Sequence, residues 1–191
     1  MLMKDKNSQS GVGLIEVMVA LLLLAVAVLG FSALNMVSVK STDDSVLIAN
    51  ANTVMRGLSE DLRLNPKNIL GYQQDIQSVL GNVSDTKDYC AAVTDYKTGS
   101  VTKNCDSDSC TAEQLVKYNS WSAMQQACNN GILVNMVTCP GTADKQLRQC
   151  IIASWNGTKP IFAANSQSNK ACADTSGIYH AGSDCVIMES Y

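Results

Sequence analysis

Between Val12 and Leu34 the chain carries a single charge, Glu16, and from Val17 onward it reads VMVALLLLAVAVLGFSAL. That run meets the requirement of about 18 or more apolar residues for a membrane-spanning helix. Leu and Ala make up more than half of it and both favour helix, and Gly30 is the one residue that loosens it. Met1–Gly11 in front is short and polar, with Lys4 and Lys6 set against Asp5. A secretory signal has a shorter apolar core, about 7–15 residues, ending in a small-residue cleavage site. A plain signal anchor explains the length but gives Glu16 no role. A charge in a bilayer costs up to about 2.5–3.5 kcal/mol at the centre and less near the edge, so a carboxylate here calls for a partner.

The helical pattern continues past the apolar run. Leu47, Ala51, Val54, Leu58 and Leu62 recur at intervals of three and four, which makes an amphipathic stripe. Asn65-Pro66 predicts the stop, because the residue before proline is pushed out of the helical region. Val12–Leu64 then forms one helix of roughly 80 Å, apolar all round in its first half and one-sided in its second, with Gly57 a mild weakness.

The remainder reads as one globular domain. Asn68–Asn104 is polar and is expected to be loop, with Gly71, Gly81 and Gly99 as breakers. Thr111 and Gln114 have capping-box spacing and open a second helix, with Leu115, Tyr118, Trp121, Met124 and Cys128 along one side as core. Ile132–Cys139 reads as a strand, Pro140-Gly141 as a turn and Gln149–Trp155 as the hairpin partner. Pro160–Ala164 and Cys185–Met188 are expected as third and fourth strands. A helix against an antiparallel sheet is an α+β arrangement. The expected organisation is a 1–11 leader, a 12–40 membrane and assembly helix, its 41–65 amphipathic continuation, and a 66–191 globular domain.

All eight cysteines, Cys90, Cys105, Cys110, Cys128, Cys139, Cys150, Cys172 and Cys185, lie beyond the apolar run. An even number on one side of a membrane span points to disulfides in an oxidising compartment. A structural zinc site is the alternative, but the tightest spacing is Cys105-x₄-Cys110 and His180 is the only histidine. Net charge is −3, so no basic surplus exists to neutralise phosphates, and direct nucleic-acid contact is not expected. No Ser-His-Asp set assembles around His180, and no GxxxxGK[ST] loop is present, so no enzyme, cofactor or catalytic residue is expected. Asp95, Asp106 and Asp108 sit in polar segments, and Asp106-Ser107-Asp108 lacks the glycine and distant glutamate of a calcium loop. No metal site is expected.

Gly11-Val12-Gly13-Leu14-Ile15-Glu16-Val17 resembles the prepilin-peptidase site of type IV pilins and type II secretion pseudopilins. The resemblance implies cleavage after Gly11 on the cytoplasmic side and N-methylation of Val12, a position where the family most often has Phe. It also implies that Glu16 pairs with the Val12 ammonium of a neighbouring subunit, turning two lone charges into one compensated pair. Major pilins commonly carry a proline near the middle of the membrane half; here Ala33 stands there and no proline precedes Pro66.

CTAEQLVKYNSW at 110–121, followed by 131–139 and 150–155, resembles PilV-type minor pilins, as does GLIEVMVALLLLAVAVLG. The implied role is a low-abundance subunit that initiates, caps or modifies a type IV pilus and supports twitching motility, adhesion or DNA uptake. The implied partners are the other minor pilins and the major pilin through the N-terminal helix, the prepilin peptidase, and the inner membrane before assembly. The implied location is the bacterial inner membrane, single-pass with a periplasmic C-terminal domain, then the pilus on the cell surface. A type II secretion minor pseudopilin is the alternative, since the N-terminal signal is shared. Eight cysteines allow 105 pairings. Locality favours Cys139 with Cys150 across the hairpin and Cys105 with Cys110 before the second helix. Cys172 and Cys185 resemble the C-terminal disulfide loop of many pilins, and Cys90 and Cys128 remain.

Overall fold

The computed structural model of the protein describes residues 13–81, 83, 85–142, 147–164 and 170–190. The chain divides into two units, Met1–Asp44 and Ser45–Tyr191. Helix α1, Leu14–Leu64, runs unbroken through Gly30 and Gly57; its first part belongs to the first unit and its second part to the other.

In the second unit α1 buries Ala51, Val54, Met55, Leu58, Ser59 and Leu62, while Arg56, Glu60 and Arg63 stay exposed. The helix ends where the Asn65-Pro66 pair predicts. Asn65 takes φ −132° and ψ 58°, and Pro66 opens a single 3₁₀ turn, Pro66–Asn68. Leu58 is 1% exposed and Leu70 is 58% exposed. Leu58→Ala is therefore expected to lower unfolding stability by about 3 kcal/mol, and Leu70→Ala by no more than about 0.5 kcal/mol, both read by denaturant titration of the full-length protein.

Residues 68–104, expected as loop, instead form two helices, α2 (Ile69–Leu80) and α3 (Thr86–Ser100). Among the described residues the globular unit thus has three α-helices besides α1 where one was expected. Apolar residues at helical spacing carry both: Tyr72, Ile76 and Val79 in α2, and Tyr89 and Val93 in α3, all buried. Gly71 is a packing residue, not a breaker, since a Cβ there would lie 3.3 Å from Val116 Cγ1. Asp85 caps α3, its carboxylate accepting the Asp88 N–H at 2.9 Å.

Helix α4, Ala112–Asn129, opens on a reciprocal capping box. Thr111 Oγ1 accepts the Gln114 N–H, and Gln114 Oε1 accepts the Thr111 N–H. Its buried face is Val116, Ser120, Ala123, Met124 and Ala127. Of the expected stripe, Met124 is buried, while Leu115, Tyr118, Trp121 and Cys128 lie half-buried on its flank. The physical reason is that the small residues Ser120, Ala123 and Ala127 face inward, so the bulky side chains sit on the flank, where Trp121 and Cys128 still pack against the core.

Strands β1 (Leu133–Thr138), β2 (Gln149–Ser154) and β5 (Cys185–Ser190) make an antiparallel sheet with β2 in the centre. Met136, Ile151 and Met188 align across it, as do Val134, Ala153 and Val186, and all six pack into the core shared with the helices. Every residue of β2 is buried, so both faces are covered and no alternation marks it in the sequence. Ser59 Oγ lies 3.1 Å from Ser190 Oγ and joins α1 to the end of β5.

The expected third strand, found as β3 (Lys159–Phe162), lies outside this sheet. It pairs in parallel with β4, Ala171–Ala173, a strand too short to announce itself in the sequence. Asn135 Nδ2 donates to the Pro160 carbonyl at 2.8 Å and holds β3 to β1. Two left-handed residues, Asn156 (φ 51°) and Gly157 (φ 76°), turn the chain between β2 and β3, with the Thr158 N–H donating to Trp155 O at 3.0 Å.

Four disulfides staple the unit. Cys90–Cys128 joins α3 to α4, and Cys105–Cys110 closes the segment before α4. Cys139–Cys150 closes the β1–β2 hairpin, and Cys172–Cys185 ties β4 to β5. Inside the last loop, Asp174 Oδ1 accepts the Ile178 N–H at 3.0 Å and the Ser176 N–H at 2.8 Å. These bonds, Ile178's first, hold the Asp174 carboxyl below its ordinary value of 3.8. A carboxyl depressed in the folded state stabilises above its unfolded pKa and loses that contribution as pH falls through the folded value. Amide-exchange protection at Ser176 and Ile178 is expected to fall below about pH 3.8, and Asp174→Ala to remove that dependence.

Candidate assembly segment

The first unit is described from Gly13 to Asp44, and nearly all of that stretch is α1. The leader 1–11, with its expected cleavage residue Gly11, and the expected methylated residue Val12 lie outside the described residues. Gly13 precedes the helix and its carbonyl accepts the Glu16 N–H at 2.9 Å, so the first turn begins inside the motif.

From Val17 to Val39 no charged residue occurs, and Lys40 ends the run. At 1.5 Å per residue Leu14–Val39 is roughly 40 Å long, against a hydrocarbon core of about 30 Å. Its large apolar side chains are exposed on every side, Leu21 to Leu24, Leu29, Phe31 and Leu34 among them. A helix apolar all round has to be covered by lipid or by other helices, because so large an apolar surface is unfavourable in water. The α1 helix is long and apolar enough to cross a membrane.

Two hydroxyls of the first unit are satisfied by carbonyls of the helix itself. Ser32 Oγ donates to the Val28 carbonyl at 2.9 Å and Thr42 Oγ1 to the Ser38 carbonyl at 3.0 Å. Such bonds satisfy hydroxyls where no water is available. Glu16 differs. It sits in the first turn of α1, where the exposed N–H groups and the helix dipole favour an acid, yet its carboxylate has no hydrogen bond or ion pair to another described residue. It is the one acid in an apolar segment whose surroundings are other apolar side chains, so a cation brought to it from outside the chain would find an unmatched partner.

The structure therefore places the sequence-predicted residues in two separate groups. Glu16 stands at the start of the apolar helix, and the eight cysteines stand in the globular unit, joined in pairs that fasten helices, hairpin and last strand. None of the cysteines belongs to the assembly segment; they brace the domain that the segment carries.

Residues 6–32 match the family described as the prokaryotic N-terminal methylation motif. Residues 33–121 match the family described as type IV pilin Tt1218, a stretch that runs from within α1 through α2 and α3 to Trp121 of α4. No curated protein and no solved structure matches the chain. The methylation motif implies processing by a prepilin peptidase, and the pilin family implies assembly with other pilins. These two adjoining matches, with a long N-terminal helix packed on a small antiparallel sheet, support placing the chain in the type IV pilin superfamily.

Proposed function

We propose that this protein is a minor pilin of the PilV type that helps to initiate, cap or modify a type IV pilus, and so supports twitching motility, adhesion or DNA uptake. The observation that carries the reading is the exposed apolar helix with a single unmatched acid, Glu16, directly behind a glycine motif within the matched methylation region. Prepilin peptidase cuts between Gly11 and Val12 and the new amine is methylated. Before assembly, residues 12–40 hold the chain in the inner membrane with the cysteine-rich domain, 66–191, in the periplasm. In the pilus the same helix packs among those of other minor pilins and the major pilin, and the Glu16 carboxylate takes the Val12 ammonium of a neighbour.

This exchange has a physical rationale. Leaving lipid for a bundle of similar helices changes little hydrophobic energy, since the tails are as apolar as leucine. Pairing two charges that were separately costly gives the step a direction and a register. The protein acts as a structural and assembly component, without chemistry of its own.

A type II secretion minor pseudopilin is the second reading, because both machines use the same N-terminal signal. The eight cysteines and the 110–155 pattern favour the pilus. Deleting the gene separates the two: the proposal expects surface pili to be lost while exoprotein secretion continues. Intact pili with impaired secretion would reverse the assignment.

A further inference from the structure

At the corner where α3 ends and α4 passes, a cavity of about 240 Å³ lies beside Lys97, Thr102, Lys103, Asn104, Tyr118 and Trp121. Its composition sets it apart. The chain as a whole is acidic, with net charge −3, yet the lining holds two lysines, and the carboxylate that adjoins it, Asp106, is engaged by the Tyr118 hydroxyl. Lys97 Nζ stands 4.4 Å over the Trp121 ring, and among the described residues it has no ion pair. Lys103 Nζ donates to the Ser109 carbonyl at 3.2 Å and likewise meets no acid there. An ammonium held over an indole by its quadrupole alone retains its full charge for an incoming anion.

The aromatic wall is a tilted pair, Tyr118 and Trp121, with ring centroids 5.6 Å apart. Both rings are half-buried at the rim of α4, Trp121 packing against the core on one side. The site is also held rigid. Cys90–Cys128 fixes α3 to α4, Cys105–Cys110 closes the adjoining loop, and the Tyr118 hydroxyl donates to Asp106 Oδ2 at 2.5 Å. That hydrogen bond, with burial and the carboxylate charge adding less, also holds the Tyr118 phenol above its ordinary value, so the ring stays neutral. Preorganisation of this kind lowers the ordering cost of binding.

We infer that this groove binds a carboxylated sugar of the hexuronic-acid class. The C–H face of a pyranose ring suits the negative face of the aromatic wall, the carboxylate suits Lys97 and Lys103, and Thr102 and Asn104 offer short polar groups to the hydroxyls. A single-stranded nucleic acid shares the need for stacking and cations, but it requires a basic groove that follows many phosphates, and two lysines on an acidic chain do not supply one.

The test is titration calorimetry of the purified full-length protein in detergent micelles with trigalacturonate, with its methyl ester, and with an oligothymidylate. Saturable binding of trigalacturonate, weakened at least about tenfold by esterification and by Lys97→Gln, supports the inference. Trp121→Phe should keep part of the binding and Trp121→Ala should abolish it. Lys97 is exposed, so its variant reports on the groove even if the Trp121 variants fold poorly. Three outcomes overturn the inference: no binding by the parent protein, equal binding of acid and ester, or tighter binding of the oligothymidylate. Unchanged affinity in Lys97→Gln does the same.

Discussion

Replacing Glu16 by Gln or Ala is expected to leave the protein in the membrane fraction while depleting it from sheared pili by roughly thirtyfold. The number follows from the proposed pairing. A hydrogen bond to a charged group is worth about 2 kcal/mol, and each 1.4 kcal/mol is about tenfold in an equilibrium. Membrane residence should not fall, because neutralising an acid at the start of an apolar helix removes a solvation cost. Glu16 has no partner among the described residues, so the substitution breaks nothing in the fold, and a circular dichroism spectrum matching the parent's would show this. Immunoblots of the membrane and sheared-pilus fractions read the outcome. Normal incorporation of Glu16→Gln would refute the pairing.

The second large effect concerns the globular unit. Cys90–Cys128 is separated by 38 residues, the widest span among the four disulfides. In the chain-entropy account a loop of that size confers about 4 kcal/mol through the unfolded state. Cys90→Ser with Cys128→Ser is therefore expected to lower unfolding stability by about that much, a large share of the roughly 5–15 kcal/mol that holds an ordinary domain. The same pair in Cys105 and Cys110, separated by 5 residues, should cost distinctly less. Denaturant titration of both double variants checks the order. A larger loss at the short loop would contradict it.

How far the fold can be read from the residues depends on how much each element advertises its surroundings. α1 is legible because nothing in it competes: an uninterrupted apolar run, then a stripe at Ala51, Val54, Leu58 and Leu62, then a proline. The capping box at Thr111 and the hairpin at 133–154 are legible for the same reason, since local chemistry and tertiary placement agree. α2 and α3 are harder. Their solvent faces are rich in Gln, Asp, Lys and Thr, and Gly71 looks like a breaker until its approach to Val116 gives it a reason. The buried Tyr72, Ile76 and Val79 were the signal, sparse but at helical spacing. β3 and β4 make a parallel pair beside the main sheet but outside its ladder, and no local pattern separates such a strand from one that joins its neighbours. Of the assembly segment, residue types and order are all legible in the sequence. What the structure adds is that the apolar residues are uncovered and that Glu16 is unmatched by any described residue.

The central claim is that Gly11-Val12 is cut and that the new N-terminus enters a pilus. The most direct measurement is the intact mass of this chain recovered from sheared pili. The account predicts a chain beginning at Val12, with four disulfides and one methyl group on its terminal amine. A chain that keeps residues 1–11, or that begins at any other residue, would contradict it.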